Sequence, residues 1–364
     1  MRTRMIIFLV CLFAWYSGAM AQPQTNLSRM SWGKVADKMP AAWYGCEYAQ
    51  LIADQLVARQ MVDGGWQKNI PYHHLLSERE LADVRRTGPG ATIDNGATTT
   101  EMRFLARVYK HCEDERYKDA VVKGLRYLFK AQYDNGGWPQ FYPPRGKGHY
   151  SSHITYNDNA MVNVMQLLRS VSENQQPFDG LHLDDSLRRQ AQEAFDKGID
   201  CILKTQIRVN GKPTVWCAQH DEKTLAPAPA RAYELESFSG AESASIVRLL
   251  MTIEHPSADI IAAVKGAVEW FEAHAVKDIR VERQHAGTPQ RDVRIVSSPG
   301  NVLWARFYDL ETGKPFFCDR DGIKHTDLSE VGQERRGGYA WYTNAPQRIL
   351  DAFPAWLARV EQGK

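Results

Sequence analysis

Residues 131–142 read AQYDNGGWPQFY, and a shorter copy at residues 60–68 reads QMVDGGWQK. Both copies run from a glutamine through an acidic or amide residue to Gly-Gly-Trp. Because glycine enters the left-handed backbone region at little steric cost, it commonly ends a helix. We therefore expect each Gly-Gly-Trp to follow the end of a helix. Its tryptophan, Trp66 or Trp138, then either braces neighbouring helices or stacks on a ligand.

A third copy indicates which role the tryptophans share. Residues 206–216 read QIRVNGKPTVW, so Gln206 and Trp216 are kept while the Gly-Gly pair is lost. A turn that loses its glycine pair but keeps its tryptophan favours bracing. Contact with a sugar is then a secondary role for Trp66 and Trp138.

The spacing of these turns predicts a helical repeat. Amphipathic segments end at three glutamines 72 and 74 residues apart and at a histidine 68 residues later: Gln60, Gln132, Gln206 and His274. A partner segment that is apolar on about half its surface precedes each of the later ones, at residues 98–112, 159–171 and 240–255. Repeated helical hairpins are typical of α/α toroids. We predict an all-α, toroid-like domain with long loops and few short strands.

Two local patterns add detail to this prediction. DIRVERQ at residues 278–284 and RDVRIVSS at residues 291–298 are strand-like, and we expect them to form one hairpin. Thr98 and Glu101 have the spacing of a capping box, which predicts a helix that starts at Thr98. No second domain is indicated, so residues 31–364 are expected to form a single domain.

The N-terminus carries a targeting signal. Residues 1–21, MRTRMIIFLVCLFAWYSGAMA, combine two early arginines, a short apolar run and Ala-Met-Ala before Gln22. This pattern is typical of a secretory signal peptide, and the apolar run is too short for a membrane anchor. We expect cleavage after residue 21, a disordered start at residues 22–30, and export, so that the protein is periplasmic or secreted.

Composition excludes several classes of protein. Basic and acidic residues number 45 and 43 with no long run of either sign, which gives no basis for nucleic-acid binding. No other stretch is apolar enough for a membrane span. The widely spaced cysteines of the mature chain do not make a disulfide framework, although a bridge between Cys201 and Cys217 stays open. Phosphate-loop, Gly-x-Ser-x-Gly and His-Glu-x-x-His motifs do not occur. We expect a monomer.

Two similar polar turns stand one repeat apart. TIDNGATTTE at residues 92–101 contains Asp94 and Asn95, and HITYNDNA at residues 153–160 contains Asp158. The two aspartates are 64 residues apart, so the repeat would bring the turns together. Carboxylate and amide oxygens that converge in this way suit Ca²⁺. Since Asp and Asn before a helix are also common N-caps, both interpretations stay open.

Arginines appear in the third repeat and beyond it. Arg231 follows a Pro-rich approach in APAPARAYELESFSGAES at residues 226–243, and Arg306 and Arg320 lie in an aromatic-rich segment further on. A guanidinium group binds a carboxylate through two parallel hydrogen bonds, so this set suggests a substrate with carboxylates. The alternative for each is a surface arginine whose stem covers an aromatic ring.

The segments quoted above resemble the polysaccharide lyase family 10 pectate lyases. The resemblance is carried, in collinear order, by DGGWQKN, TIDNGATTTEMRFLA, YDNGGWPQFYP, ITYNDNAMVNV, APARAYELES and RFYDLETGKPFFCDRDG. It extends from about Trp32 to the C-terminus. The resemblance implies a toroid-like catalytic domain of helical hairpins with a deep groove. It also implies Ca²⁺-dependent cleavage of polygalacturonate by β-elimination.

The resemblance further implies roles for the polar turns. Asp94 and Asp158, with Asn95 nearby, match the turns that hold calcium and substrate in this family. These three residues are therefore the expected metal ligands, and Asp94 is also expected to contact the substrate.

The arginines receive roles in the same way. Arg231 matches the arginine proposed as Brønsted base in this family, and Arg306 and Arg320 match those that bind substrate carboxylates. The C5 hydrogen of galacturonate lies α to a carboxylate, so neutralising that carboxylate makes the hydrogen more acidic. A base can then remove H5 while the bond to O4 breaks, which leaves a 4,5-unsaturated product. Because arginine is normally protonated, this role requires nearby cations and alkaline conditions.

Two other function classes have to be weighed against a lyase. An inverting glycoside hydrolase would use Asp94 and Asp158 as its acid and base. A glycan-binding protein without activity would use Trp66 and Trp138 as stacking platforms. An unsaturated product distinguishes the lyase from the hydrolase, and release of any product distinguishes both from a binding protein.

Overall fold

The protein was analysed as a computed structural model that describes residues 27–84, 90–146 and 148–363. The α-helices with defined bounds in these residues are α1 Trp32–Lys38, α2 Glu47–Arg59, α3 Glu78–Val84, α4 Thr99–Cys112, α5 Glu115–Ala131, α6 Ala160–Ser172, α7 Asp185–Thr205, α8 Glu242–Met251, α9 Ala258–Ala273, α10 Gln333–Gly338 and α11 Ala345–Gln362. The predicted signal peptide, residues 1–21, lies outside the described residues. Leu27 and Met30 pack against the core, so the folded part begins before residue 31.

Strands lie between the helices and after the last hairpin. They are β1 Ile154–Thr155, β2 Arg208–Val209, β3 Lys212–Pro213, β4 Gln219–His220, β5 Phe238–Ser239, β6 Val276–Gln284, β7 Asp292–Ala305, β8 Phe307–Tyr308, β9 Phe317–Cys318, β10 Lys324–His325 and β11 Tyr342–Thr343. All pairings are antiparallel: β1 with β4, β2 with β3, β5 with β8, β9 with β10, and β7 with both β6 and β11.

The prediction of an all-α, toroid-like domain with few short strands is wrong. β6 and β7 have 9 and 14 residues and form a long hairpin to which β11 adds a third strand. Valine and isoleucine alternate with polar residues through much of this hairpin, which is the period of a strand. The predicted hairpin was too short because β7 continues through Pro299, Gly300 and Asn301, residue types that are typical of turns.

Helical hairpins make up the remainder of the fold. α4 packs on α5, α6 on α7 and α8 on α9. The first helices of successive hairpins contact one another, as do the second helices, so the hairpins form two layers with the larger hydrophobic core between them. A smaller core lies beneath the C-terminal segments and is formed by Tyr233, Val293, Phe307, Phe316, Phe317, Cys318, Leu328, Val331 and Trp341.

A glutamine follows each of the helices α2, α5 and α7 and joins two neighbouring hairpins. Its side-chain amide donates one hydrogen bond to a carbonyl of its own turn and one to a carbonyl in the second helix of the next hairpin, at 2.7 to 3.0 Å. The three sets are Gln60 with Gly64 and Ala120, Gln132 with Gly136 and Ala194, and Gln206 with Thr214 and Ala263. We call these glutamines the bridging glutamines.

The tryptophans of the same turns brace the fold, as the third copy predicted. Trp66, Trp138 and Trp216 are fully buried. Each indole Nε1 donates to a carbonyl of the preceding helix at 2.7 to 2.9 Å. A ligand has no access to these rings, so none of them is a stacking platform. Glycine is required beside them: a Cβ at Gly136, where φ is +91°, would lie 1.9 Å from Lys197 O.

The predicted capping box at the start of α4 is not formed. Thr98 has a positive φ of 65° and makes no side-chain cap. Its hydroxyl donates to Thr92 O (2.8 Å) and accepts from the Trp66 amide (3.0 Å). Glu101 accepts instead from Trp32 Nε1 at 2.7 Å. These side chains therefore connect α4 to other segments and do not close its first turn.

Two further expectations concern cysteines and membranes. Cys201 and Cys217 are both free and buried, so the bridge that the sequence left open is not formed. Within the part of the chain that the structure describes, every helix is too short or too polar to span a bilayer.

Candidate active site

The two polar turns have the same backbone conformation. Asp94–Gly96 and Asn157–Asn159 each form one 3₁₀ turn ahead of the first helix of a hairpin. The middle residue is left-handed in both, with φ of 52° at Asn95 and 51° at Asp158. The turns contact each other. In the structure Asn95 therefore corresponds to Asp158. The sequence comparison had instead matched Asp94 with Asp158, which is wrong by one residue.

Asp94 is a buried anion that is already paired. Its Oδ2 atom accepts a hydrogen bond from Gln140 Nε2 (2.8 Å) and forms an ion pair with Lys68. Its Oδ1 atom accepts from the Asn95 amide at 3.0 Å. The Asn95 side chain is exposed and donates to Asn69 Oδ1 at 2.9 Å. The Asp94 carboxylate is thus fixed by a lysine and two hydrogen bonds.

Asp158 lies beside a buried arginine. One nitrogen of Arg306, Nη2, is 2.6 Å from Asn157 Oδ1, 2.6 Å from Glu242 Oε1 and 3.3 Å from Asp158 Oδ1. The Arg306 side chain is 8% exposed, whereas that of Asp158 is 41% exposed. Burial lowers the pKa of Arg306, but the nearby charges of Glu242, Asp158 and Glu234, together with Tyr339, outweigh it and the pKa is raised. Arg306 is therefore a permanent cation that ties the second turn to α8.

Arg231 is held by a buried glutamate. Its Nε atom donates to Glu234 Oε2 at 2.7 Å, and its Nη2 atom pairs with Glu234 Oε1, which also accepts from the Tyr339 hydroxyl at 2.7 Å. Burial opposes both charges, yet the pair raises the pKa of Arg231 and lowers the pKa of Glu234. The Arg231 side chain remains 42% exposed, while that of Glu234 is 5% exposed.

Two tyrosines gather the predicted arginines in one place. The rings of Tyr233 and Tyr339 are 5.4 Å apart in an edge-to-face arrangement. Four guanidinium groups lie 4.5 to 5.9 Å from one or both ring centroids, close enough for cation–π attraction. We call this set the arginine–tyrosine cluster; its arginines are Arg231, Arg306, Arg320 and Arg335.

The exposed part of the cluster is suited to an anionic ligand. Arg320 is the most exposed member, with 64% of its side chain in solvent, and it pairs at 3.3 Å with the exposed Glu334. An exposed ion pair of this kind is weak and is replaced at little cost. Arg320 and Arg231 therefore present charged groups to a ligand, whereas Arg306 is enclosed by protein acceptors.

Comparisons with known proteins identify the family of the chain. A family model described as pectic acid lyase matches residues 60–350, a range that contains both polar turns and all four arginines of the cluster. The chain belongs to the pectic acid lyase family. It is therefore a polysaccharide lyase, and a non-catalytic glycan-binding protein is excluded.

Solved structures of family 10 polysaccharide lyases are similar to this lyase. The family 10 polysaccharide lyase from Cellvibrio cellulosa is 38% identical to it, with a TM-score of 0.76 over 90% of this chain and 95% of that one. An aspartate-to-alanine mutant of that enzyme in complex with trigalacturonic acid is likewise 38% identical, with a TM-score of 0.75 over 89% and 95% of the two chains. The resemblance to family 10 is confirmed.

A more distant relative is the D-glucuronyl C5-epimerase of Caenorhabditis elegans. It is 26% identical over 192 residues, which are 49% of this lyase and 28% of the epimerase. The lyase therefore spans less than a third of the length of that relative.

Sequence reasoning missed the residues that pair with the predicted ones. Lys68 and Gln140, which hold Asp94, each stand two residues after a bracing tryptophan, Trp66 and Trp138. Comparing the repeats position by position would have found both. Glu234 stands three residues after Arg231, a local spacing that could have indicated the pair. Glu242 and Tyr339 carry no such signal, because only the tertiary fold brings them to their partners.

The expected calcium ligands fit a hard cation in chemistry. Asp94, Asn95 and Asp158 offer carboxylate and amide oxygens, the donors that Ca²⁺ prefers, and the partly exposed Asp158 carboxylate is open to a further partner. In the described residues, His, Asp and Glu side chains grouped closely enough for a metal occur elsewhere, at His153, Asp221 and Glu222, within 4.8 Å of one another.

Proposed function

We propose that this lyase cleaves α-1,4-polygalacturonate by Ca²⁺-dependent β-elimination and releases 4,5-unsaturated oligogalacturonates. The observation that carries the proposal is the arginine–tyrosine cluster, in which the half-exposed Arg231 lies beside further cations. A uronate polymer is the sugar class that such a cluster favours. The complex of a 38% identical relative with trigalacturonic acid supports the same substrate.

The reaction begins with removal of the C5 hydrogen by Arg231. H5 is acidic only when the adjacent carboxylate is neutralised, since negative charge develops on that group in the transition state. Arg320 binds a substrate carboxylate, and the buried Arg306 adds positive charge from behind the Asp158 turn. The electron pair of the C5–H bond forms the C4–C5 double bond, the C4–O4 bond breaks, and O4 leaves with the electron pair of that bond and takes up a proton from solvent. The similarity to a C5-epimerase, whose name also places its chemistry at C5 of a uronate, agrees with this position.

The protonation of Arg231 sets a condition on this role. Pairing with Glu234 raises the pKa of Arg231, so the neutral form is scarce in the free enzyme. A base must be unprotonated when it acts, and the neutral fraction grows with pH. We therefore expect the rate to rise towards alkaline pH.

Asp94, Asn95 and Asp158 are the proposed ligands of Ca²⁺. When bound there, the ion would neutralise a substrate carboxylate and so acidify H5. Asp158 is the ligand with open access, whereas Asp94 must be shared with Lys68. Asp94 is also the residue of this turn that we propose to contact the substrate.

The proposed cellular setting is export as a monomer. The N-terminal pattern of residues 1–21 supports secretion or a periplasmic location, where a polymeric substrate is accessible.

The test is incubation with polygalacturonate and Ca²⁺ at alkaline pH, followed by the ultraviolet absorbance of the unsaturated product. Arg231→Ala should abolish that absorbance with the fold retained, and Arg126→Ala, at an exposed position of α5, should not. A chelator should stop the parent enzyme. New reducing ends without absorbance would identify a hydrolase, and activity in Arg231→Ala would remove the arginine from the mechanism.

A further inference from the structure

The pairing of Arg231 with Glu234 is the tightest contact of a proposed catalytic group in the site. Glu234 lies three residues after Arg231, and the two backbones close a short turn in which Glu234 N–H donates to Arg231 O at 2.7 Å. The carboxylate contacts two nitrogens of one guanidinium, which fixes the plane of that group. The Tyr339 hydroxyl fixes the carboxylate in turn.

We infer that Glu234 is a positioning residue that orients the guanidinium of Arg231 and sets the pH at which Arg231 can act as a base. This inference rests on the proposed function, because it assigns no role to Glu234 apart from Arg231. Glu234 is buried at 5% exposure and lies behind the arginine, so it acts through Arg231 and does not touch the substrate.

The groups that face Arg231 explain why Glu234 dominates. Tyr233 and Tyr339 contact the guanidinium through their rings, and the cations Arg306, Arg320 and Arg335 lie 4.5 to 5.8 Å from the centroids of those rings. These cations disfavour a further positive charge at Arg231, whereas the single buried anion favours it. Removing that anion leaves a guanidinium that loses its proton more readily.

Geometry and charge can be separated by two substitutions of Glu234. Glu234→Gln keeps the size of the side chain and one acceptor oxygen but removes the charge. Glu234→Asp keeps the charge but withdraws the carboxylate by one methylene and breaks the two-point contact. The inference therefore predicts different kinetic effects for the two variants.

The experiment is the pH dependence of kcat/KM on polygalacturonate with Ca²⁺, from about pH 7 to about pH 10. In Glu234→Gln the rising limb should move to lower pH, so that kcat/KM exceeds that of the parent by about tenfold at any fixed pH on the limb; the half exposure of Arg231 screens a larger shift. In Glu234→Asp the limb should stay in place while kcat falls by about tenfold or more.

Controls distinguish this inference from the proposed function. Asp37→Asn removes a carboxylate from another two-point arginine contact, with Arg103, and should leave the profile unchanged. If Arg231→Ala retains activity, the proposed function fails. If Arg231→Ala is inactive but the rising limb of kcat/KM in Glu234→Gln lies at the same pH as in the parent, only the role of Glu234 is overturned. Should Glu234→Gln not fold, judged by circular dichroism, a shifted limb in Glu234→Asp would overturn the inference and an unshifted limb with reduced kcat would support it.

Discussion

Asn95 and Asp158 occupy the same left-handed position in two turns that contact each other, yet one is an amide and the other a carboxylate. The repeat has kept the backbone and changed the chemistry. The charge of the first turn lies one residue earlier, at Asp94, where Lys68 and Gln140 enclose it. The second turn therefore holds the accessible charge and the first turn holds the buried one.

This asymmetry predicts that Asp158 contributes more to Ca²⁺ binding than its counterpart. Asp158→Asn should raise the Ca²⁺ concentration for half-maximal activity by about tenfold or more, or ~1.4 kcal/mol. Calcium titration of the initial rate and calorimetry with Ca²⁺ and an oligogalacturonate measure the effect. Asn95→Ala, which removes only an amide, should change the value less. An unchanged calcium requirement in Asp158→Asn would show that Asp158 is not a ligand.

Lys68 should compete with the metal for Asp94. Replacing Lys68 with methionine keeps much of the packing and removes the cation that occupies the Asp94 carboxylate. We expect Ca²⁺ to bind the Lys68→Met variant about tenfold more tightly, measured by calorimetry without substrate. The matched control is Lys110→Met, which breaks an exposed pair with Asp179. Weaker or unchanged binding in Lys68→Met would contradict a ligand role for Asp94.

Each bridging glutamine should stabilise the fold strongly. Gln132→Ala removes the donors to Gly136 O and Ala194 O. Because each of these two hydrogen bonds contributes roughly 0.5–1.5 kcal/mol, the free energy of unfolding should fall by about 1–3 kcal/mol. Urea denaturation followed by circular dichroism measures it. Gln190→Ala is the control, since Gln190 is exposed and bonds only within its own helix; an equal effect there would remove the special role of Gln132.

Stability should decline in mild acid because of His220. This buried imidazole accepts from the Cys217 amide at 3.1 Å and donates to Leu225 O at 2.9 Å. Burial lowers the pKa of His220 from about 6.5 to about 4. Between these values the unfolded chain binds a proton that the folded chain does not, so the free energy of unfolding decreases as pH falls, by up to ~3 kcal/mol.

The measurement is urea denaturation at several values between about pH 4 and about pH 7. In His220→Gln this part of the pH dependence should disappear, whereas His255→Gln, at an exposed position, should behave as the parent. A parental pH dependence in His220→Gln would assign the effect to another group.

The hairpins and their turns were predictable because their cause is local. Helices ended where the glutamine spacing placed the ends, at Arg59, Ala131 and Thr205, and the lost glycine pair at the third turn correctly indicated a bracing tryptophan. The all-α class failed because β7 extends beyond the predicted hairpin, where it gains the distant partner β11 in addition to β6. Its residue Val293 packs in the smaller core, whose other members come from several separate segments.

The candidate site was predictable as a list of residues but not as a set of pairs. Sequence and resemblance identified Arg231, Arg306 and Arg320, which the fold does gather around two tyrosines. They did not identify Glu234, although its spacing three residues after Arg231 is local, or Glu242, which gives no signal until the fold places it against Arg306. The correspondence of the two polar turns was also predicted wrongly. The sequence comparison matched Asp94 with Asp158 because both are aspartates, whereas the residue with the backbone conformation of Asp158 is Asn95.

The bridging glutamines have a consequence for cooperativity. Each side chain is bonded at once to its own turn and to the next hairpin, so one hairpin cannot open without breaking bonds of its neighbour. The amide protons of the three turns should therefore exchange with solvent as one unit, at a rate set by a shared opening event.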